Sequence, residues 1–236
     1  MKKISNLIHK MANTLRETKN RPFNVIVEGN IGSGKTTFLN HFKQNNDVCV
    51  LAEPIEMWRN CKGYNLLGYM YEDPKKWAFT FQSYVQLTML QQHTKPITEP
   101  VKLMERSIYS ARYCFVEKMM RDNLLAGPSV SVIHEWFKWV TTQANIDVDL
   151  IVYLRTTPEV VYERMMKRNR AEEKSVPLEY LQSLHELHED WLYYKTLHSL
   201  PAPVVVLNAD LDRSVITDEY EKCETILTKE VMSARA

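Results

Sequence analysis

The stretch VIVEGNIGSGKTTF, residues 25–38, determines how the rest of the sequence is interpreted. An apolar run ends at Gly29, and the pattern GxxxxGK[ST] follows, with Lys35 and Thr36 at its last two positions. Glycines allow the backbone to curl so that successive N–H groups face a phosphate. Three of the chain's six glycines lie here. The stretch therefore predicts a strand, a phosphate-binding loop and a helix, in that order.

This loop predicts nucleotide binding rather than a plain structural turn, because a strand precedes it and helical sequence follows it. We expect Lys35 to reach the β- and γ-phosphates and Thr36 to offer its hydroxyl to Mg²⁺. The positive end of the following helix also favours an anion. The predicted ATP-binding loop comprises Gly29, Asn30, Ile31, Gly32, Ser33, Gly34, Lys35, Thr36 and Thr37.

Strand-like and helical segments alternate along the chain. The predicted strands cover residues 23–29, 47–54, 101–107, 149–156 and 204–210. The longer predicted helices cover residues 73–93, 108–122, 131–144 and 178–197, with a loop near Gly127 and Pro128. This order predicts an α/β P-loop kinase fold, in which helices flank a five-stranded parallel sheet within a single domain over residues 22–236.

Composition excludes several classes of function. The 236 residues carry a formal net charge of +1, so no global charge favours nucleic acid or a membrane as a partner. The four cysteines are scattered without CxxC spacing, which fits a reducing compartment, and we expect a cytoplasmic protein. Residues 1–21 carry six Lys or Arg and one acid, which predicts a flexible basic segment; a mitochondrial targeting peptide is the alternative.

The donor loop alone also fits a GTPase or a motor. A GTPase needs DxxG and NKxD motifs, which we do not find, and motors usually need a longer chain. A basic segment late in the chain instead favours phosphoryl transfer to a small acceptor. Arg164, Arg168 and Arg170 lie in this segment, which we expect to form a mobile lid over about 168–176, with its helix breaking near 175–177.

Polar residues at the predicted strand ends identify the acceptor side, because ligands of open α/β sheets bind there. Glu53 follows the second strand and is placed to accept a proton from an attacking hydroxyl. Glu105 and Arg106 end the third strand, where the acid suits Mg²⁺ and the guanidinium suits the base or the acceptor hydroxyl. Gln82 has both a donor and an acceptor to read a base edge.

Together these stretches resemble the deoxyribonucleoside kinase family, from about residue 23 to residue 210. The stretches that carry the resemblance are EGNIGSGKTT at 28–37, EPIEMW at 53–58, FQSY at 81–84, ERSIYSARYCF at 105–115 and RNRAEE at 168–173. The resemblance implies ATP-dependent phosphorylation of the 5′-hydroxyl of a deoxyribonucleoside. It also implies a homodimer that associates through the helices of residues 108–122 and 131–144.

The resemblance further assigns roles to individual residues. Glu53 matches the general base, Arg106 matches the arginine that holds it, and both act in catalysis with Lys35. The substrate-binding residues implied are Glu53, Trp58, Tyr71, Gln82, Val85, Met89, Arg106, Ala111, Phe115 and Glu173. Thr36 and Glu105 match the positions that serve magnesium, and Arg164, Arg168 and Arg170 match lid arginines that meet ATP.

Three side chains match positions near C5 of a pyrimidine base. In the deoxycytidine-preferring members of the family, the residues that match Met89 and Ala111 are similar to arginine and aspartate. Here Val85, Met89 and Ala111 are apolar and leave room for a methyl group. We therefore expect thymidine and deoxycytidine as preferred substrates, with purine deoxynucleosides accepted less well. A thymidylate kinase and a non-catalytic nucleotide sensor remain the alternatives, although the Glu53 carboxylate disfavours an acceptor that carries a phosphate.

Overall fold

The computed structural model of the protein describes residues 21–211 and 213–235. The predicted basic segment therefore lies outside the described residues, except for its last residue. Five parallel strands form one sheet in the order β2-β3-β1-β4-β5, which confirms the predicted α/β fold. The strands are β1 (Phe23–Glu28), β2 (Val48–Leu51), β3 (Val101–Glu105), β4 (Leu150–Arg155) and β5 (Val204–Asn208).

Helices connect the strands and cover both faces of the sheet. They are α1 (Lys35–His41), α2 (Ile55–Arg59), α3 (Leu66–Glu72), α4 (Pro74–Thr94), α5 (Ile108–Ser110, Ala111–Val116 and Glu117–Arg121 in succession), α6 (Gly127–Gln143), α7 (Pro158–Arg168), α8 (Leu178–His188, continued by Glu189–Tyr193) and α9 (Arg213–Arg235). The middle part of α5 and the continuation of α8 are π-helical.

Alternating side chains of the central strand supply both apolar layers. Val25 and Val27 pack on the face covered by α1 and α9, whereas Ile26 packs on the opposite face with Trp191 of the α8 continuation. This period of two is expected for a strand that is buried on both sides. A third apolar cluster lies among α2, α3, α4, α5 and α6, and several of its members line the site described below.

Three predicted boundaries were wrong. The predicted loop near Gly127 and Pro128 is the first turn of α6, where proline is tolerated because the first N–H groups of a helix need no partner. Helix α8 with its π-helical continuation ends at Tyr193 rather than at residue 197. Helix α7 ends at Arg168 rather than near residues 175–177, because Asn169 adopts a left-handed conformation with φ 54°.

Candidate active site

The loop between β1 and α1 has the geometry of a phosphate-binding loop. Gly29 and Gly32 have φ values of 146° and 80°, which side chains disfavour. A Cβ atom at Gly32 would lie 2.7 Å from the carbonyl oxygen of Val161 in α7, and one at Gly29 would lie 2.7 Å from that of Leu154. Glycine is therefore required at both positions by backbone conformation and by close packing.

The Lys35 ammonium lies inside this loop. Its Nζ donates to the carbonyl oxygens of Asn30 (2.6 Å) and Gly29 (3.1 Å). Asn30 holds the loop in turn, because its side-chain amide donates to the carbonyl of Leu181 in α8 (2.8 Å). Burial, and next the Arg106 guanidinium, lower the pKa of Lys35 to about 7. The negative charge of a phosphate in the loop would oppose both effects and raise the pKa of Lys35 again.

Two side chains with oxygen atoms that could bind a metal ion, Thr36 at the start of α1 and Glu105 at the end of β3, contact each other. The Thr36 hydroxyl donates to Glu105 Oε1 over 2.9 Å. The described residues contain no group of three or more His, Cys, Asp or Glu side chains that could hold a metal ion by themselves. One carboxylate and one hydroxyl beside a phosphate loop match the sparse protein ligation that Mg²⁺ uses when phosphates and water complete its shell. The residues present therefore fit a magnesium ion bound together with a nucleotide.

The acceptor-side carboxylate is paired with a buried arginine. Arg106 Nε lies 3.0 Å from Glu53 Oε1, and Arg106 Nη1 donates to the Gly29 carbonyl over 3.0 Å. The guanidinium also lies over the Phe115 ring, 4.6 Å from its centroid. Burial raises the pKa of Glu53, and the Arg106 charge opposes that rise. Arg106 thereby links the carboxylate to the phosphate loop.

A buried carboxyl that the sequence did not single out supports this arrangement. Glu28 ends β1, and its Oε1 accepts a hydrogen bond of 2.5 Å from the Ser107 hydroxyl. Ser107 in turn caps the first turn of α5, directly after Arg106, whose own backbone has the left-handed φ of 64°. Burial raises the pKa of Glu28 to about 7. Glu28 thus anchors the turn that presents Arg106.

A cavity of about 510 Å³ joins the loop to the ion pair. All predicted site residues line it except Gly29 and Asn30, which contribute carbonyl groups to Lys35 and Arg106 instead. The lining members predicted from sequence are Ile31, Gly32, Ser33, Gly34, Lys35, Thr36, Thr37, Glu53, Trp58, Tyr71, Gln82, Val85, Met89, Glu105, Arg106, Ala111, Phe115, Arg164, Arg168, Arg170 and Glu173. Residues from six separate stretches of sequence therefore share one space.

One end of the cavity is an apolar pocket with few polar groups. Gln82 is 1% exposed and its Oε1 has no hydrogen-bond partner among the described residues. Trp58 is fixed by its Nε1, which donates to the Thr88 hydroxyl over 2.9 Å. Val85, Met89 and Ala111 are buried apolar neighbours in the same wall. A flat ligand with a donor at one edge would satisfy the Gln82 oxygen.

The three late arginines, Arg164, Arg168 and Arg170, lie at the end of α7 and just after it, and all three line the cavity. Arg168 Nη2 donates to both oxygens of Glu173, at 2.6 and 2.8 Å, and Arg170 Nη1 lies 3.3 Å from the same carboxylate. Arg164 lies one helical turn earlier, where its Nη1 donates to the Ala209 carbonyl after β5 over 2.8 Å. All three arginines line the same cavity as the phosphate loop.

Comparison with known proteins identifies this arrangement. The model of the deoxynucleoside kinase family matches residues 25–233. The chain belongs to the deoxynucleoside kinase family. The phosphate loop at residues 29–37 fits such a kinase. Membership also decides against the thymidylate kinase and sensor alternatives. Among the described residues, no helix is long and apolar enough to cross a membrane.

Individual kinases are similar over most of the chain. Mitochondrial thymidine kinase 2 of Homo sapiens is 50% identical over 207 residues, which cover 87% of this chain and 78% of that protein. Deoxycytidine kinase 2 of Gallus gallus is 36% identical and covers 83% of this chain and 86% of its own length. Deoxycytidine kinase of Homo sapiens is 34% identical, with coverage of 84% and 86%.

Several cavity residues of this kinase were missed by the sequence analysis. Leu67 and Met70 of α3 line the apolar end, and Tyr180 of α8 also lines the cavity. Leu211, Ile216 and Tyr220 line the end nearest the arginines. The helical spacing of Leu66, Leu67 and Met70 was a usable signal for α3. No local pattern marked the contribution of α9, because its apolar face also serves the core.

Proposed function

We propose that this kinase transfers the γ-phosphoryl group of ATP to the 5′-hydroxyl of deoxyribonucleosides, with thymidine and deoxycytidine as its best substrates and purine deoxynucleosides as poorer ones. The observation that carries the proposal is the position of Glu53. Its carboxylate is held by Arg106, which also contacts the phosphate loop, and it borders the apolar pocket. A nucleoside with its base in that pocket would direct its 5′-oxygen toward the loop.

In the proposed mechanism, Glu53 accepts the proton of the 5′-hydroxyl as the 5′-oxygen attacks the γ-phosphorus in line. The bond from that phosphorus to the β,γ-bridging oxygen breaks, and ADP leaves. The loop N–H groups, Lys35 and the lid arginines stabilise the negative charge that spreads over the phosphoryl oxygens. Arg106 holds Glu53 toward the acceptor oxygen. Positioning and electrostatics therefore supply most of the rate enhancement.

We propose Thr36 and Glu105 as the side chains that hold magnesium. A bound magnesium ion would neutralise negative charge on the phosphates of ATP. The pair lies at the mouth of the phosphate loop, and their oxygens approach to 2.9 Å.

The proposed preference for pyrimidines rests on the size and polarity of the pocket. Val85, Met89 and Ala111 offer apolar surface without a charge. Gln82 supplies a donor and an acceptor for the base edge, and Phe115 supplies a face for stacking. The names of the similar proteins, thymidine kinase 2 and deoxycytidine kinase, support the same two substrates. Tyr71 and Glu173 line the cavity where we place the sugar 3′-hydroxyl.

We propose that two copies associate through α5 and α6. Three large apolar side chains of α6 lie at i, i+4 and i+7 and are exposed: Val132 at 44%, Trp136 at 58% and Trp139 at 53%. Exposed apolar stripes of this kind indicate a contact surface. Replacing both tryptophans with glutamate should convert a dimer to a monomer in sedimentation velocity.

The sequence predicts two compartments, the cytoplasm and, as the alternative, the mitochondrion. The mitochondrial alternative gains support from the name of the human relative, mitochondrial thymidine kinase 2. We therefore propose that residues 1–21 serve as a mitochondrial targeting segment. Fusion of these residues to a fluorescent protein should direct it to mitochondria; a diffuse cytoplasmic signal would favour the first expectation.

The test of the proposed function is ATP-dependent phosphorylation of thymidine, deoxycytidine, deoxyadenosine and deoxyguanosine, run side by side with labelled ATP. We expect 5′-monophosphates from all four, with the two pyrimidines giving the highest kcat/KM. Equal kcat/KM values for purines, or no product from thymidine, would contradict the proposed pocket.

Binding of ATP should be accompanied by proton uptake at the Lys35 amine. Because the pKa of Lys35 is about 7 in the protein alone, much of its amine is neutral at pH 7.5. Phosphates favour the ammonium and raise that pKa, so a fraction of a proton should be taken up per ATP through Lys35 at this pH. By linkage, ATP affinity should fall as pH rises from 7 toward the pKa of the complex. Calorimetry in two buffers of different ionisation enthalpy measures the uptake.

Lys35→Arg is the matched control, because arginine keeps its charge over this pH range. The control should lose the proton uptake that belongs to Lys35 while retaining any proton release from the γ-phosphate of ATP. Equal uptake by the two proteins would show that Lys35 is already charged before ATP binds.

A further inference from the structure

One ion pair joins the lid to the wall of the acceptor pocket. Arg59 is the last residue of α2, and Glu172 lies in the short turn Ala171–Glu173 after α7. Arg59 Nε donates to Glu172 Oε1 over 2.8 Å, and Arg59 Nη2 donates to Glu172 Oε2 over 3.0 Å. Two parallel charge-assisted bonds fix orientation as well as distance. The contact spans 113 positions of sequence, so local chain geometry does not impose it.

Each end of this pair is next to a residue of the site. Trp58, directly before Arg59, is buried in the acceptor wall and fixed by Thr88. Glu173, directly after Glu172, binds Arg168 and Arg170 of the lid. The Glu172 carboxylate therefore binds Arg59 beside the acceptor wall, whereas the Glu173 carboxylate binds the lid arginines.

The pair is also sheltered and charged. The Glu172 side chain is 11% exposed and that of Arg59 is 30% exposed, and Glu172 lines the cavity. The Arg59 hydrogen bond lowers the pKa of Glu172, so the carboxylate stays ionised at neutral pH. Arg59 has a second partner, Glu56, over 2.8 Å, but that carboxylate is 84% exposed and lies on the same helix. An exposed pair within one helix adds little to stability.

We infer that the Arg59–Glu172 pair is a latch that holds the turn Ala171–Glu173 against the acceptor end of the cavity and slows release of the nucleoside. Arg59 is then a positioning residue, because it acts through the lid and does not touch the reacting atoms. The inference rests on the proposed function, since it takes the acceptor to be a nucleoside. Opening the latch should affect how long the acceptor stays bound more than the chemical step.

The test compares Glu172→Gln, Arg59→Gln and the double variant with wild type. The probe is whichever labelled deoxynucleoside the wild-type protein phosphorylates best, and its dissociation rate is measured by chase with unlabelled compound. We expect each single variant to release it about fivefold faster, allowing for the partial exposure of the pair. The double variant should release it no faster than the singles, because the two residues act as one unit. The acceptor KM should rise by a similar factor, with kcat within about twofold of wild type.

Glu56→Gln is the matched control, because it removes the other partner of Arg59 and leaves the lid pair intact. This variant should match wild type in dissociation rate and in KM. Wild-type dissociation rates in both single variants, or additive effects in the double variant, would overturn the latch. A fall in kcat with unchanged KM would also overturn it, since the pair would then act in the chemical step. A wild-type protein that phosphorylates no deoxynucleoside would instead overturn the proposed function and the latch together.

Discussion

Glu53→Gln should lower kcat by about 100-fold or more while the protein stays folded, since general-base assistance contributes about that much. The amide has nearly the shape of the carboxylate, so the variant fills the same space beside Arg106, although it loses the ion pair. It cannot take the proton of the 5′-hydroxyl. Turnover of thymidine under saturating ATP, followed by release of labelled monophosphate, measures the effect. Thermal unfolding and ATP binding should change little, because Glu53 lies outside the phosphate loop.

The pH profile supplies a second readout of the same role. Burial raises the pKa of Glu53, so the carboxylate becomes protonated at a higher pH than an ordinary glutamate. A base must be deprotonated to act, and kcat/KM should therefore fall as pH drops through that raised pKa. The acidic limb should disappear in Glu53→Gln. Wild-type turnover in the variant would exclude Glu53 as the base.

Met89→Arg combined with Ala111→Asp should remove thymidine from the set of good substrates. Both positions are buried in the apolar wall of the cavity. An arginine there would occupy the space proposed for the thymine methyl, and the aspartate would pair with it and avoid an isolated buried charge. We expect kcat/KM for thymidine to fall about 100-fold relative to deoxycytidine, the upper range for steric discrimination in a pocket.

Deoxycytidine is the internal control for this variant, because its base lacks the methyl group. Retained turnover of deoxycytidine would show that the variant folds and binds ATP. Met89→Leu, which keeps the pocket apolar, should leave the order of substrates unchanged. An unchanged ratio of thymidine to deoxycytidine in the double variant would contradict the assignment of this wall to the base.

The sheet and the phosphate loop could be predicted from sequence because their signals are local. A buried apolar strand, glycines that must adopt positive φ, and a following helix lie within residues 25–38. The alternation of strands and helices then restricts the fold to a parallel sheet. Candidate residues at the ends of β2 and β3 follow from that topology, because parallel strands bring their carboxyl ends to one edge.

Other features depend on contacts between distant segments, which no local pattern reveals. Glu28 stands at the end of an apolar run, and only the fold shows that its partner is Ser107. The Arg59–Glu172 pair likewise becomes visible only when α2 and the lid meet. The sequence pattern around Tyr220 of α9 indicates a core position, although Tyr220 also lines the cavity.

Helix ends were the weakest predictions, for a physical reason. Pro128 suggested a loop, but proline is also favoured in the first turn of a helix. In the structure Pro128 lies in the first turn of α6. Asn169 ends α7 because asparagine tolerates the left-handed conformation, whereas the prediction relied on Pro177. Both residues allow two local outcomes, and packing selects between them.

The most direct test of the acceptor assignment is a competition between thymidine and thymidine 5′-monophosphate for the wild-type protein. Both are supplied at equal concentration with labelled ATP, and the labelled monophosphate and diphosphate are separated and counted. The Glu53 carboxylate should repel a phosphate and accept a proton from a free hydroxyl. We therefore predict label in the monophosphate at least about 100-fold above that in the diphosphate. Label mainly in the diphosphate would contradict the acceptor site built around Glu53 and Arg106.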